Sequence, residues 1–155
     1  MPSTVADNEV EDDLLVVSDS HRQNTDVWTL DSVCSHHYIP NRSWFATYTK
    51  MDEGSVTLED DHPCRVASIG SIRMRMFDGM VQTLTNMKHV PDLKKNLVSL
   101  GYLEWSGYSF SSHTRSGVLN ISNGAMVVMR GRSMENNLYR IEGSVVTEES
   151  DAAAA

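Results

Sequence analysis

Residues 30–37 read LDSVCSHH and concentrate the chain's reactive side chains. Asp31 and Ser32 follow the apolar run DVWTL. A carboxylate on the end of a strand, followed by a small hydroxyl residue and a tight turn, suits general acid–base chemistry on water. Two such carboxylates brought together share one proton, since adjacent like charges cannot both ionise. The ionised one takes a proton from water and the protonated one donates to a scissile carbonyl. With one such loop per chain, the pair requires a twofold dimer. Asp-Ser after an apolar run is also a common turn or helix cap, the more frequent outcome for these residues alone.

The same stretch opens a second possibility. Cys34, His36 and His37, with His62 and Cys64 of HPC, are residue types that bind zinc. Their Cys-x-His and His-x-Cys spacings are not those of usual structural zinc sites, so the expectation is no metal and no other cofactor. Ser-His-Asp catalysis is set aside because GxSxG is absent.

These residues need a scaffold, and the sequence favours strands. DLLVV, DVWTL, SVTLED and CRVASIGSIRMRMF are short apolar or alternating runs with β-branched content. Ile72, Met74 and Met76 alternate with Arg73 and Arg75, which predicts a half-buried strand. Asp78-Gly79 then signals a turn of type I′, with positive φ at both central residues. A long hairpin follows, with its tip near Phe77–Met80. Its methionines read as core fillers, or as part of a flap over a bound peptide. Pro91 ends the second strand. NLVSLGYLEWSGY is the best helix candidate, with Leu97, Leu100, Leu103 and Tyr108 along one face. Gly101 and Gly107 limit it to a turn or two. YSFSSHT, GVLNIS, AMVVMRG and NLYRIEG read as further strands. An all-β barrel or sandwich with one short helix is expected.

Length and charge narrow the function class. The 155 residues suit one domain. No apolar stretch is long enough to span a membrane. The acidic N-terminus has no apolar secretion-signal core, so a cytoplasmic or nuclear location is expected. Five of the 21 acids lie in residues 1–13 and four in 142–155, leaving 12 between them against all 13 Lys and Arg. The net charge of −8 thus belongs to the ends, read as solvated tails at 1–13 and 148–155. This balance gives no support for direct nucleic-acid binding. Two cysteines are too few for a disulfide framework.

Taken in order, VWTLDSVCSHHYIPNRSWFATY, the block from GSVTLEDD to VPDLKKNLVSLGYLEWSGY, GVLNISNGAMVVMRG and NLYRIEGSV resemble the protease segment of copia-type LTR retrotransposon polyproteins, especially plant ones. The resemblance covers roughly residues 13 to 147, and HVPDLKKNLVSLG and PNRSWF are its most specific parts. It implies a small closed β-barrel of retropepsin type at 14–116, with residues 117–147 resembling the junction toward integrase. It implies a homodimer with a polypeptide substrate or protein partner. Asp31 and Ser32 fall on the catalytic pair, and the hairpin residues Met76, Phe77, Asp78, Gly79 and Met80 fall on the substrate-binding flap. Val33, Leu97, Val98, Leu100 and Gly101 fall on the active-site loop and the motif packed beneath it. The implied piece is either excised or stand-alone and co-opted. Cys34 and His37 match similar residues in the family, and so need no metal to explain them.

Three glycines of the family pattern are altered. Val33 stands in the third position of the Asp-Ser-Gly triplet, and Glu59 and Ser68 stand where relatives often carry Gly. Glycine reaches unusual φ/ψ freely, whereas Val is β-branched and stiff. Two Val33 side chains would face each other across a dimer axis. A displacement of about 1 Å at reacting groups costs ~100-fold in rate, so weak or absent proteolysis is expected, with the fold kept. The alternative function is a catalytically inactive, co-opted interaction module.

Overall fold

The computed structural model describes residues 27–51, 54–57, 62–113, 115–134 and 138–147. The strand expected at DLLVV, Glu59 and the two acidic tails lie outside these residues. Thirteen strands, one 3-10 turn and one short α-helix make up the described chain, an all-β fold.

The strand that carries the acidic loop is β1 (Trp28–Asp31). It pairs in parallel with β8 (Asn96–Ser99), setting Asp31 opposite Ser99. All four β8 residues are buried, as suits a strand covered on both faces. The helix predicted to begin near Asn96 starts only at Leu100: α1 spans Leu100–Trp105. Asn96–Ser99 is extended instead because it completes the parallel ladder beside β1. Ser99 then caps the helix, its Oγ accepting from the Tyr102 N–H at 3.0 Å.

Three strands escaped the sequence reading, one of them at Gly143–Val146. β2 (His37–Ile39) is fully buried, parallel to β7 (Val81–His89) and antiparallel to β8. β3 (Phe45–Lys50) follows the 3-10 turn Arg42–Trp44 and pairs with β6 (Ser68–Met76). β4 (Ser55–Thr57) and β5 (Pro63–Arg65) form a separate two-stranded sheet.

The long hairpin is β6–β7, as the alternation predicted, with Ile72, Met74 and Met76 buried. Its turn is not type I′. Gly79 N–H donates to the Met76 carbonyl at 2.9 Å and Met76 N–H to the Met80 carbonyl at 2.8 Å. Gly79 has φ 86, while Asn86 is the sole non-glycine at positive φ among the described residues. Asp78 therefore keeps a negative φ. This is the three-residue loop with glycine in the left-handed position, and the Asp78 carboxylate accepts the Met80 N–H at 3.0 Å.

Both hairpin strands and β3 slip register at one level, near Ser71. Asn86 (φ 58) forms the bulge on β7, and its Nδ2 donates to the Tyr102 hydroxyl of α1 at 2.6 Å. Just below this level Gly70 passes so close to β3 that an added Cβ would sit 1.9 Å from the Thr47 carbonyl oxygen.

The C-terminal residues join the same sheet. β9 (Ser109–His113), β10 (Val118–Asn123), β11 (Met126–Ser133) and β12 (Tyr139–Ile141) run antiparallel, and β12 pairs with β1. β13 (Gly143–Val146) pairs with the tip half of β6. The order is β13-β6-β7-β2-β8-β1-β12-β11-β10-β9, with β3 on β6. This ladder has two ends, so the pairing itself does not close a barrel. Only Glu142 separates β12 from β13, which brings the path leaving β6 back to β6 through the chain. The main core lies inside this path, around Leu30, Ile39, Ile72, Met74, Met87, Val98, Ile121 and Met129. Burying each such side chain contributes about 1.5–3 kcal/mol.

Candidate functional site

The Asp31 loop leaves the core at the end of β1. Asp31 is half-buried, and its Oδ1 accepts the Val33 N–H at 2.7 Å. That bond closes a short Asx-type turn and fixes the direction of the carboxylate. Ser32 is exposed, and Val33 is 89% exposed. Val33 has no positive φ, so the conformational freedom of glycine is not needed at this position. Its side chain stands in solvent, clear of the rest of the chain. Any steric penalty of this Val therefore arises only against a molecule laid over the loop.

Beneath the loop lies a polar knot centred on Ser99. Its Oγ donates to the Cys34 carbonyl at 2.7 Å and accepts the Tyr102 N–H. Its own N–H donates to His37 Nδ1 at 2.9 Å. His37 is thus the Nε2–H tautomer when neutral. It is 2% exposed and packs edge-on against the Tyr102 ring at 5.0 Å. Burial, helped by neighbouring His36, pushes its pKa down from 6.5 to about 4. One serine thus joins β8, the Asp31–Cys34 loop, β2 and α1. The other residues predicted beneath the loop sit here too. Leu97 and Val98 are buried in β8, pairing with Thr29 and Leu30, and Leu100 packs against the main core. Gly101 is exposed, and a Cβ there would meet only Ser99 Oγ at 3.8 Å.

The cysteines have packing roles. Cys34 and Cys64 both pack against a small cluster of Tyr38, Val66, Val90 and Leu97. Both are thiols. Burial, reinforced by Asp31, raises Cys34 to about 12, so it stays protonated and is a poor nucleophile or metal ligand. Among the described residues no group of three or more His, Cys, Asp or Glu converges closely enough to hold a metal ion. His36 contacts the Ser35 hydroxyl and the Tyr102 ring. Ser35, His36, Gly101, Tyr102 and the 80% exposed Trp105 line a shallow cleft beside the loop.

The hairpin tip is a separate place. Met76 belongs to the core, while Met80 is 58% exposed. Phe77 is half-buried with the Arg130 guanidinium 4.1 Å above its ring, and Arg75 reaches the Gly79 carbonyl at 3.1 Å. β13 lies alongside. Among the described residues no hydrogen bond, ion pair or ring contact links residues 77–80 to residues 31–35.

Sequence reasoning missed Ser99 and the buried role of His37. A serine directly before the helical residues is an N-cap signal that would have placed both the helix start and Ser99. The link from Ser99 to His37 spans 62 residues, and no local pattern announces it.

Comparison with known proteins agrees with this arrangement. Residues 28–108 match the family model described as Pol polyprotein, beta-barrel domain. A relative in Nicotiana tabacum, the Retrovirus-related Pol polyprotein from transposon TNT 1-94, is 31% identical over 126 residues. The alignment covers 81% of this chain but only 9% of that relative's length. No solved structure matches the chain. The matched segment runs from the start of β1 to just past α1, and so contains the Asp31 loop, the hairpin and the Ser99 knot. The chain belongs to the beta-barrel domain family of Pol polyproteins and is a retrotransposon Pol-derived domain.

Proposed function

We propose that this domain is a copia-type aspartic endopeptidase of retropepsin kind, working as a homodimer on polypeptide substrates in the cytoplasm or nucleus. The observation that carries this reading is the Asp31 carboxylate, oriented by the Val33 N–H and held on an open loop over a buried support. Preorganised carboxylates of this kind need little rearrangement at the moment of reaction. Two copies would place their Asp31 side chains together. One then acts as base on water and the other as acid on the peptide carbonyl, with Ser32 beside the carboxylate. The β6–β7 tip, Met76–Met80, serves as the flap. No cofactor is required.

The test is cleavage of polyprotein-junction peptides by the purified chain, with pepstatin and Asp31→Asn as controls. Weak cleavage abolished by both is expected. Activity that survives Asp31→Asn would overturn the mechanism.

One observation favours a second reading, an inactive interaction module. Val33 puts a bare apolar side chain where the two loops would meet. Comparing wild type with Val33→Gly separates the two. An inert wild type with a cleaving Val33→Gly variant identifies a disabled protease. Equal activity in both removes this reading's main support.

A further inference from the structure

The Ser99 knot has a chemical weakness that the loop above it inherits. The Ser99 hydroxyl is committed twice, holding Cys34 and the α1 N-terminus. The third bond, from the Ser99 N–H, ends on the one acceptor in the knot that can take up a proton, His37 Nδ1. Once Nδ1 carries hydrogen, two donors face each other at 2.9 Å and the bond cannot persist. We infer that His37 is an acid-released latch for the Asp31 loop, holding β8 and α1 under residues 31–34 only while its ring is neutral.

The surroundings offer His37 little compensation when it protonates. The residue before it is His36, a further cation when charged. β7 places the buried, uncharged Met87 opposite it and Lys88 one residue further along. α1 presents the edge-on Tyr102 ring. β8 presents Ser99 and Leu97, neither charged. Asp31 is the nearest acid in sequence, but its Oδ1 is turned to Val33. Burial and this neutral-to-positive setting agree with the ring's depressed pKa of about 4. Released Ser99 weakens its hold on the Cys34 carbonyl, and the Asp31 turn loses its footing. The latch does not depend on the endopeptidase reading. Where that reading holds, the latch sets the acid limb of the activity profile.

The test is amide hydrogen exchange and NMR on the full chain, followed from neutral pH down through about 4. Protection of the Ser99 and Tyr102 amides, corrected for intrinsic rates, is expected to fall about tenfold or more with one midpoint. The His37 ring should titrate with the same midpoint, from the Nε2–H tautomer. His37→Asn keeps an acceptor near the Nδ1 position but cannot titrate, so protection of these two amides should stay flat through this range. Should His37→Asn fail to fold, the wild-type titration decides alone. A His37 ring that protonates while the Ser99 and Tyr102 amides stay protected overturns the inference. So does the same fall in a folded His37→Asn. The Ser99 amide and the His37 ring do not bond to Asp31, so loss of peptide cleavage with Asp31→Asn leaves these readouts unchanged and the two proposals fail separately.

Discussion

The Asp31 loop and the hairpin tip are both turns at strand ends, yet they are held by opposite means. Under the loop the fixing contacts are buried hydrogen bonds to Ser99 and His37, with bond directions that specify one geometry. The tip is fixed by apolar burial of Met74 and Met76 and by Arg130 over Phe77, contacts with weak directional demands. Hydrogen bonds in a buried site are costly to leave unmade, whereas methionine repacks at little cost. The carboxylate thus rides on the rigid, chemically sensitive part, and the hairpin tip on the adaptable part.

That contrast can be broken at several points. The largest effect is expected at the base of the hairpin. Gly70→Ala forces a Cβ into the Thr47 carbonyl, a backbone group that cannot turn aside. A loss of more than about 3 kcal/mol is expected in denaturant unfolding. Acid comes next. The unfolded chain protonates His37 near 6.5, but the folded chain resists until about 4. Its contribution is complete above about 6.5 and fades as pH falls toward about 4, by roughly 3 kcal/mol. Stability measured across that range should therefore decline, and His37→Asn should flatten the decline. Ser99→Ala removes a helix cap and orphans the Cys34 carbonyl, costing about 1–3 kcal/mol. Arg130→Ala at the tip should cost only about 0.5–1 kcal/mol, chiefly from the lost cation–π contact. If Arg130→Ala proves as damaging as Ser99→Ala, the tip is not the adaptable region argued here.

One change should raise stability. Ser68 is fully buried and its hydroxyl has no hydrogen-bond partner among the described residues, at a position where the resemblance leads one to expect Gly. Ser68→Ala removes the unsatisfied group, and a gain of about 1 kcal/mol in thermal or denaturant unfolding is expected.

Legibility followed the range of the signal. The β6–β7 hairpin was readable because Ile72, Met74 and Met76 alternate with arginines, a period set by local geometry. Its turn type was not, since Asp-Gly serves both a two-residue turn and the three-residue loop seen at Phe77–Gly79. Leu97 fits a helical face in sequence, but tertiary pairing with Thr29 makes it strand. β2 was missed because its three residues are all buried, which erases alternation, and because its His invited a metal reading. Asp31 was legible only as a candidate, through its motif. Its support was not, because Ser99 meets Cys34 only after the chain has crossed 65 residues.

The elbow at Glu142 sets where this protein can be cut. The family match stops at residue 108, but the neighbours of β1 and of the outer half of β6 come from β12 and β13, beyond that point. A fragment ending at 108 would expose the flank of the strand that carries Asp31, and bare strand flanks recruit other chains. The smallest piece worth expressing therefore runs to Val146, and the segment that the family model matches is shorter than the piece that completes its own sheet.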